Sequence, residues 1–278
     1  MSHISSIALP TDLADDCAIV FSHAVKLALE THARLRLIHV HPRPAEEIPW
    51  TRLPTIHDTL VRWGLLAEDA GVPEYNALGL HIRADHWVAN DPADGAVAAL
   101  QHDTPDLLIV GTHRRQGLSR ILNGSVAEAI ARRAKLHTLF VGRDTRGFVD
   151  PATGVCSLSR VLVPVSDDVN LPAVMSILDG FLDALHPGTV EVTLLTVNND
   201  FDLEVGEVME GSRVSFTVER RSGPIVETIL SVAEAMDTQL ICMPTEDRDS
   251  LSDMLLGTKT EQVLHTSRCP LLTLRDHR

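Results

Sequence analysis

An internal repeat constrains this 278-residue chain more than any other feature. ISSIALPTD (4–12) is echoed by SRVLVPVSD (159–167), each a short apolar run that meets a proline and then an aspartate. RLRLIHVH (34–41) is answered by VEVTLLTV (190–197), and DLLIVGTH (106–113) by QLICMPTE (239–246). LGLHIRADHWVANDPADGAVAAL (78–100) corresponds to VSFTVERRSGPIVETILSVA (214–233); in both, an alternating strand leads into a proline suited to the first turn of a helix. ILNGSVAEAIARRAKLHTLFVG (121–142) corresponds to LLGTKTEQVLHTSRCPLLTL (255–274). Five correspondences in one order mean two copies of one structural plan.

Each copy reads strand, helix, strand, linker, strand, helix, strand, helix, strand. Leu107 to Val110 is apolar throughout, as in a strand buried on both faces, whereas Ala14 to Glu30 has apolar residues at helical spacing. Such alternation implies parallel sheets joined by right-handed crossovers. The expected fold is α/β: two tandem doubly wound domains, each with a mainly parallel five-stranded sheet in the order 3-2-1-4-5. The second is abbreviated, because only NNDFDLEVGEVMEGSR (198–213) separates its second and third strands. GRDTRGFVDPATGVCSLS (142–159), rich in Gly, Pro, Ser and Thr, marks the join. The expected division is a domain at 1–145, a linker at 146–158 and a domain at 159–278, in keeping with domains of about 140 residues.

Charge separates the copies. Residues 1–150 hold 15 Lys+Arg against 18 Asp+Glu, a net −3, while residues 151–278 hold 9 against 20, a net −11. An acidic second half argues against polyanion partners, and 4% aromatic content argues against base stacking, so no nucleic acid is expected. Cys17, Cys156, Cys242 and Cys269 lie far apart with no CxxC pair, which fits a reducing cytoplasm. No apolar run approaches the roughly 18 residues of a membrane span, and the first residues lack the pattern of a signal peptide. A cytoplasmic protein without membrane contact is expected. The 14 histidines show no metal-ligand spacing, and no metal site is expected.

In doubly wound sheets ligands lie beyond the carboxyl ends of the strands where strand order reverses. With the first strand beside the fourth, Asp12 comes towards Gly111: a carboxylate that can accept from ribose hydroxyls faces a loop whose backbone can approach phosphates. Gly124-Ser125 then opens a helix whose free N–H groups and dipole favour an anion. Taken singly, each has a structural alternative: Gly111 ends a strand, Gly124-Ser125 caps a helix, and Pro10-Thr11-Asp12 is a helix-start signal.

GTHRRQGLSRILNGS (111–125) together with this repeat resembles the universal stress protein family in its tandem two-domain form. The family's nucleotide loop is G-x2-G-x9-G-[ST]; here Gly111, Gly124 and Ser125 match, and Arg114 stands at the second glycine. The resemblance implies binding of ATP or another adenine nucleotide, with Mg accompanying it. Carried over by position, Pro10, Thr11 and Asp12 hold the ribose side and Val40 lies near the adenine. Val110, Gly111, His113 and Arg114 begin the phosphate loop, and Gly124, Ser125 and Val126 complete it. The Arg114 side chain either fills phosphate space or swings out and neutralises a phosphate. In the second copy the loop reads Pro244, Thr245, Glu246, Asp247, then Gly257 and Thr258, and Ser166 replaces the aspartate. Carboxylates facing phosphates repel, so that copy is expected not to bind.

The chain lacks GxSxG, GxxxxGK[ST] and GxGxxG motifs and the SGGxDS loop of ATP pyrophosphatases. A dedicated enzyme is not expected. The expected function is a regulatory stress-response protein that binds an adenine nucleotide in its first half, pairs its two domains intramolecularly and acts through a regulatory protein partner. A homodimer is a further expected assembly, with strands 138–141 and 271–274 as pairing edges. The alternatives are an interaction protein without nucleotide and a weak ATPase.

Overall fold

The computed structural model describes residues 4–13, 17–42, 55–112, 126–143, 145–167, 169–185, 188–199, 213–246 and 258–276. The first half contains β1 (Ser6–Pro10), α1 (Ala18–Thr31), β2 (Arg34–His41), α2 (Ile56–Arg62), α3 (Val72–Ala77), β3 (His81–Val88), α4 (Pro92–His102), β4 (Leu107–Thr112), α5 (Val126–Ala134) and β5 (Thr138–Gly142). The second contains β6 (Arg160–Pro164), α6 (Leu171–Leu185), β7 (Val190–Val197), β8 (Val214–Arg221), α7 (Ile225–Ala235), β9 (Leu240–Glu246), α8 (Thr258–Thr266) and β10 (Leu271–Asp276).

The ten strands among the described residues form one sheet in the order β3-β2-β1-β4-β5-β10-β9-β6-β7-β8. Each half has the expected 3-2-1-4-5 order with parallel pairs, such as Leu9 beside Leu37 and Val110 beside Phe140. The halves meet where β5 and β10 run antiparallel, with Thr138 opposite Thr273, Leu139 opposite Leu272 and Phe140 opposite Leu271. The two fifth strands thus pair within one chain.

Strand alternation divides the core between two faces. Leu107, Ile109, Leu139 and Val141 pack on the side covered by α1 and α6. Leu108, Val110 and Phe140 pack on the other side, against Ala96 and Ala99 of α4, Ile130 of α5, Ile229 of α7 and Val263 of α8. Local signals set the helix ends. Asp91 caps α4 by accepting from the Asp94 N–H at 2.8 Å, with Pro92 in the first turn. His32 ends α1 in the left-handed conformation, its N–H directed to Ala28 O.

One side chain in each half ties the start of the first strand to its neighbour. Asp106 Oδ2 accepts from the N–H and O–H of Ser5 (2.9 and 2.8 Å) and of Ser6 (2.9 and 3.0 Å). Gln239 Oε1 accepts from Ser159 N–H and O–H (2.7 and 2.9 Å) and Arg160 N–H (3.1 Å). These anchors fix β1 against β4, and β6 against β9, leaving the opposite strand ends to form the crevices.

The seam between the halves is packed on both faces. The composition of 142–159 reads as a spacer, yet Phe148, Val149 and Leu158 are buried in the core shared by α1 and α6. Phe148 meets Phe181 and His23 edge-on, with ring centroids 6.5 and 4.5 Å apart. His23 Nε2 accepts from the N–H groups of Phe148 (3.1 Å) and Val149 (3.3 Å), so Nδ1 carries the proton it donates to Ile19 O at 2.7 Å. Burial pushes the pKa of this imidazole down from 6.5 to about 4. Gly147 permits the approach: a Cβ there would lie 2.2 Å from His23 Cε1. On the opposite face α5 meets α8 through Arg132–Glu261 at 3.2 Å and Glu128–His265 at 3.5 Å. The buried Glu128 carboxylate outweighs the effect of burial and holds the His265 pKa above its usual value.

Candidate functional site

β1 and β4 are adjacent, and the helices that follow them, α1 and α5, pack on opposite faces of the sheet, so the carboxyl ends of the two strands border a crevice. On the α1 side it opens as a small, shallow cleft lined by Leu9, Pro10, Thr11, Cys17, Val20, Phe21, Gly111 and Arg143. The connection from β1 is tightly held. Thr11 N–H donates to Ile38 O at 2.9 Å, and His39 Nδ1 lies 3.0 Å from Thr11 O. Leu13 is buried with φ 58°, a conformation bulky residues rarely adopt, and its N–H donates to Thr11 Oγ1 at 3.1 Å. Strain of this kind is maintained only where surrounding contacts impose it.

Asp12 is exposed beside this turn. It does not start α1: that helix begins at Ala18, and Cys17 at its cap makes no side-chain capping bond. Its Oδ1 instead accepts from Arg143 Nη2 at 2.7 Å. Arg143 follows β5, and its N–H donates to Thr112 O at 3.0 Å, which brings its root beside the end of β4. Gly111 makes room for the side chain. A Cβ on Gly111 would lie 3.2 Å from Arg143 Nε and 3.1 Å from Val20 Cγ2.

The sequence-predicted residues divide into three groups. Pro10, Thr11 and Gly111 line the cleft, and Asp12 reaches it through Arg143. Val110 is 1% exposed and packs with α4 and α5 on the opposite face, away from the cleft. Val40 packs on that same face, while Val126 is exposed at the start of α5. His113, Arg114, Gly124 and Ser125 lie outside the described residues. Sequence reasoning missed Arg143, although the signal was a single arginine directly after the fifth strand. Among the described residues no three His, Cys, Asp or Glu side chains are grouped to hold a metal ion. No helix among them is long and apolar enough to cross a membrane.

The model of the Universal stress protein family matches residues 3–142 and 189–275, spanning most of both halves. The chain belongs to the universal stress protein family. A universal stress protein of Mycobacterium tuberculosis (strain ATCC 25618 / H37Rv) is 25% identical over 271 residues, covering 85% of this chain and 86% of its own. One from Methanocaldococcus jannaschii is 29% identical over 144 residues, covering 49% of this chain and 80% of that protein. The crystal structure of a universal stress protein from Archaeoglobus fulgidus DSM 4304 superposes with a TM-score of 0.67 at 18% identity. It covers 99% of this chain and 98% of its own, a likeness of fold. Membership in this family points to a role in stress response.

Proposed function

We propose that this universal stress protein binds ATP or a related adenine nucleotide, accompanied by Mg²⁺, in the cleft of its first half. The observation that carries this is the meeting of the Asp12 carboxylate, the Pro10-Thr11 turn and the Gly111 backbone at the strand-order reversal. A carboxylate there accepts from ribose hydroxyls, and main-chain N–H groups at a glycine-bearing strand end suit a phosphate. The second half, with Ser166 and Pro244 at the corresponding positions, acts as a non-binding partner domain within the division 1–145, 146–158 and 159–278. Ligand stabilises one arrangement of the protein by mass action and thereby alters its association with a regulatory protein partner in the cytoplasm.

The test is to denature the purified protein, identify any released nucleotide by chromatography, and titrate the protein with ATP, ADP and AMP by calorimetry. Absence of both carried nucleotide and binding heat rejects the proposal. D12A is expected to weaken adenine-nucleotide affinity on the order of tenfold, the scale of a hydrogen bond to a charged group, with an unchanged circular-dichroism spectrum. Unaltered affinity removes Asp12 from the site. A second proposal, an interaction protein without nucleotide, draws on the Asp12–Arg143 pair as a purely structural clasp; in that case D12A lowers thermal stability and no nucleotide binds.

A further inference from the structure

Arg143 adds to the cleft a feature that the nucleotide-loop motif does not contain. Its side chain is 7% exposed, whereas that of Asp12, with which it pairs, is 56% exposed. The buried member of the ion pair is therefore the cation, and the anion stands at the mouth. Arg143 Nε lies 3.2 Å from where a Gly111 Cβ would stand, and the Arg143 backbone N–H is tied to Thr112 O, so the side chain is rooted beside the end of β4. Burying a guanidinium is tolerated only when anionic or strongly accepting groups meet its five donors. Asp12 supplies such a group at 2.7 Å.

The proposed ligand competes for that same carboxylate. When ribose hydroxyls engage Asp12, the Arg143 guanidinium loses acceptor strength and gains it back only if the ligand brings anionic oxygen of its own. ATP, ADP and AMP bring it; adenosine does not. Resting on the adenine-nucleotide proposal above, we propose that Arg143 is the selectivity residue of the cleft. It is a built-in counter-charge that passes from Asp12 to a ligand phosphate, so that the site takes phosphorylated nucleotides in preference to the nucleoside. The planar fork of arginine suits this exchange because it can hold a carboxylate and a phosphate in turn by paired hydrogen bonds.

Calorimetric titration of the full chain with ATP and with adenosine tests the assignment, using wild type, R143Q and R143K. Wild type is expected to prefer ATP over adenosine on the order of 10- to 100-fold, the scale of a charge-assisted hydrogen bond. R143Q is expected to lose most of that preference through weaker ATP binding with adenosine affinity unchanged, and R143K to retain part of it. A wild type that binds both ligands equally overturns the selectivity role and leaves the nucleotide proposal standing, as does an R143Q variant that tightens both by a common factor. If wild type binds neither ligand, the nucleotide proposal itself fails and this inference falls with it. Should R143Q not fold, R143K decides: an ATP-to-adenosine ratio equal to that of wild type overturns the assignment, and a reduced ratio supports it.

Discussion

At the amino ends of their strands the two halves use one device with different chemistry. Asp106 gathers the N–H and O–H groups of Ser5 and Ser6, and Gln239 gathers the N–H and O–H of Ser159 and the N–H of Arg160. An ionised oxygen and a neutral amide oxygen both serve, because the task is only to accept several donors from one point. At the carboxyl ends the halves part. Gly111 leaves room for the Arg143 side chain, which reaches Asp12, whereas the second half places Pro244 and Ser166 at the corresponding positions. Pro244 puts a ring where the first half has no side chain at all. Scaffold ends therefore tolerate exchange of charge, whereas the crevice ends differ in backbone and in side chain.

The largest test of this comparison concerns whether the halves are separable. Phe148 is fully buried between α1 and α6, so F148A is expected to lower stability by about 3–5 kcal/mol in chemical denaturation. A single transition moved to lower denaturant means one cooperative unit; two resolved transitions mean two copies that merely touch.

A smaller effect comes from the same seam through pH. The folded protein keeps His23 neutral down to about pH 4, while the unfolded chain protonates it near 6.5. Stability is then complete above pH 6.5, falls as pH drops through that value, and levels off near 4. The total is about 3 kcal/mol at 1.36 kcal/mol per pKa unit. H23Q is expected to flatten this slope in denaturation curves taken from pH 7 to 4, and an unchanged slope assigns the acid sensitivity to other groups.

The smallest effect transfers the second half's chemistry to the first. D106N, which substitutes an amide as in Gln239, is expected to cost about 1 kcal/mol. Burial raises the Asp106 pKa, but the Ser5 and Ser6 hydrogen bonds outweigh it and hold the carboxyl below its usual 3.8. Its contribution is present above that value and is lost as pH falls through the lower folded one. Thermal melts at neutral pH measure the cost; no loss shows that charge at this anchor is immaterial.

The repeat made strand order legible, because apolar periodicity and crossover handedness act locally and recur at a fixed spacing. The approach of Asp12 to Gly111 was legible for the same reason, as one follows β1 and the other lies at the carboxyl end of β4, and the places of both strands in the sheet were predictable. Arg143 was not, since its meaning depends on Asp12, more than a hundred residues earlier, and no local pattern encodes that approach. The packing of the segment 142–159 was not legible from its composition. Its glycines, its proline and its hydroxyl residues describe a spacer, while Phe148, Val149 and Leu158 decide that it packs. Gly147 adds to the spacer-like composition, yet its role is to let His23 come close.

The antiparallel meeting of β5 and β10 has a consequence for how such a protein can change. Two identical chains joined at that edge would carry every substitution twice, so a mutation harmful in one crevice would be harmful in both. Here the same edge joins unlike sequences under one reading frame. Either side can be altered alone, and the pairing surface has to satisfy only one combination. Thr138 opposite Thr273 and Phe140 opposite Leu271 preserve the junction, while eleven of the fourteen net negative charges have accumulated on one side of it.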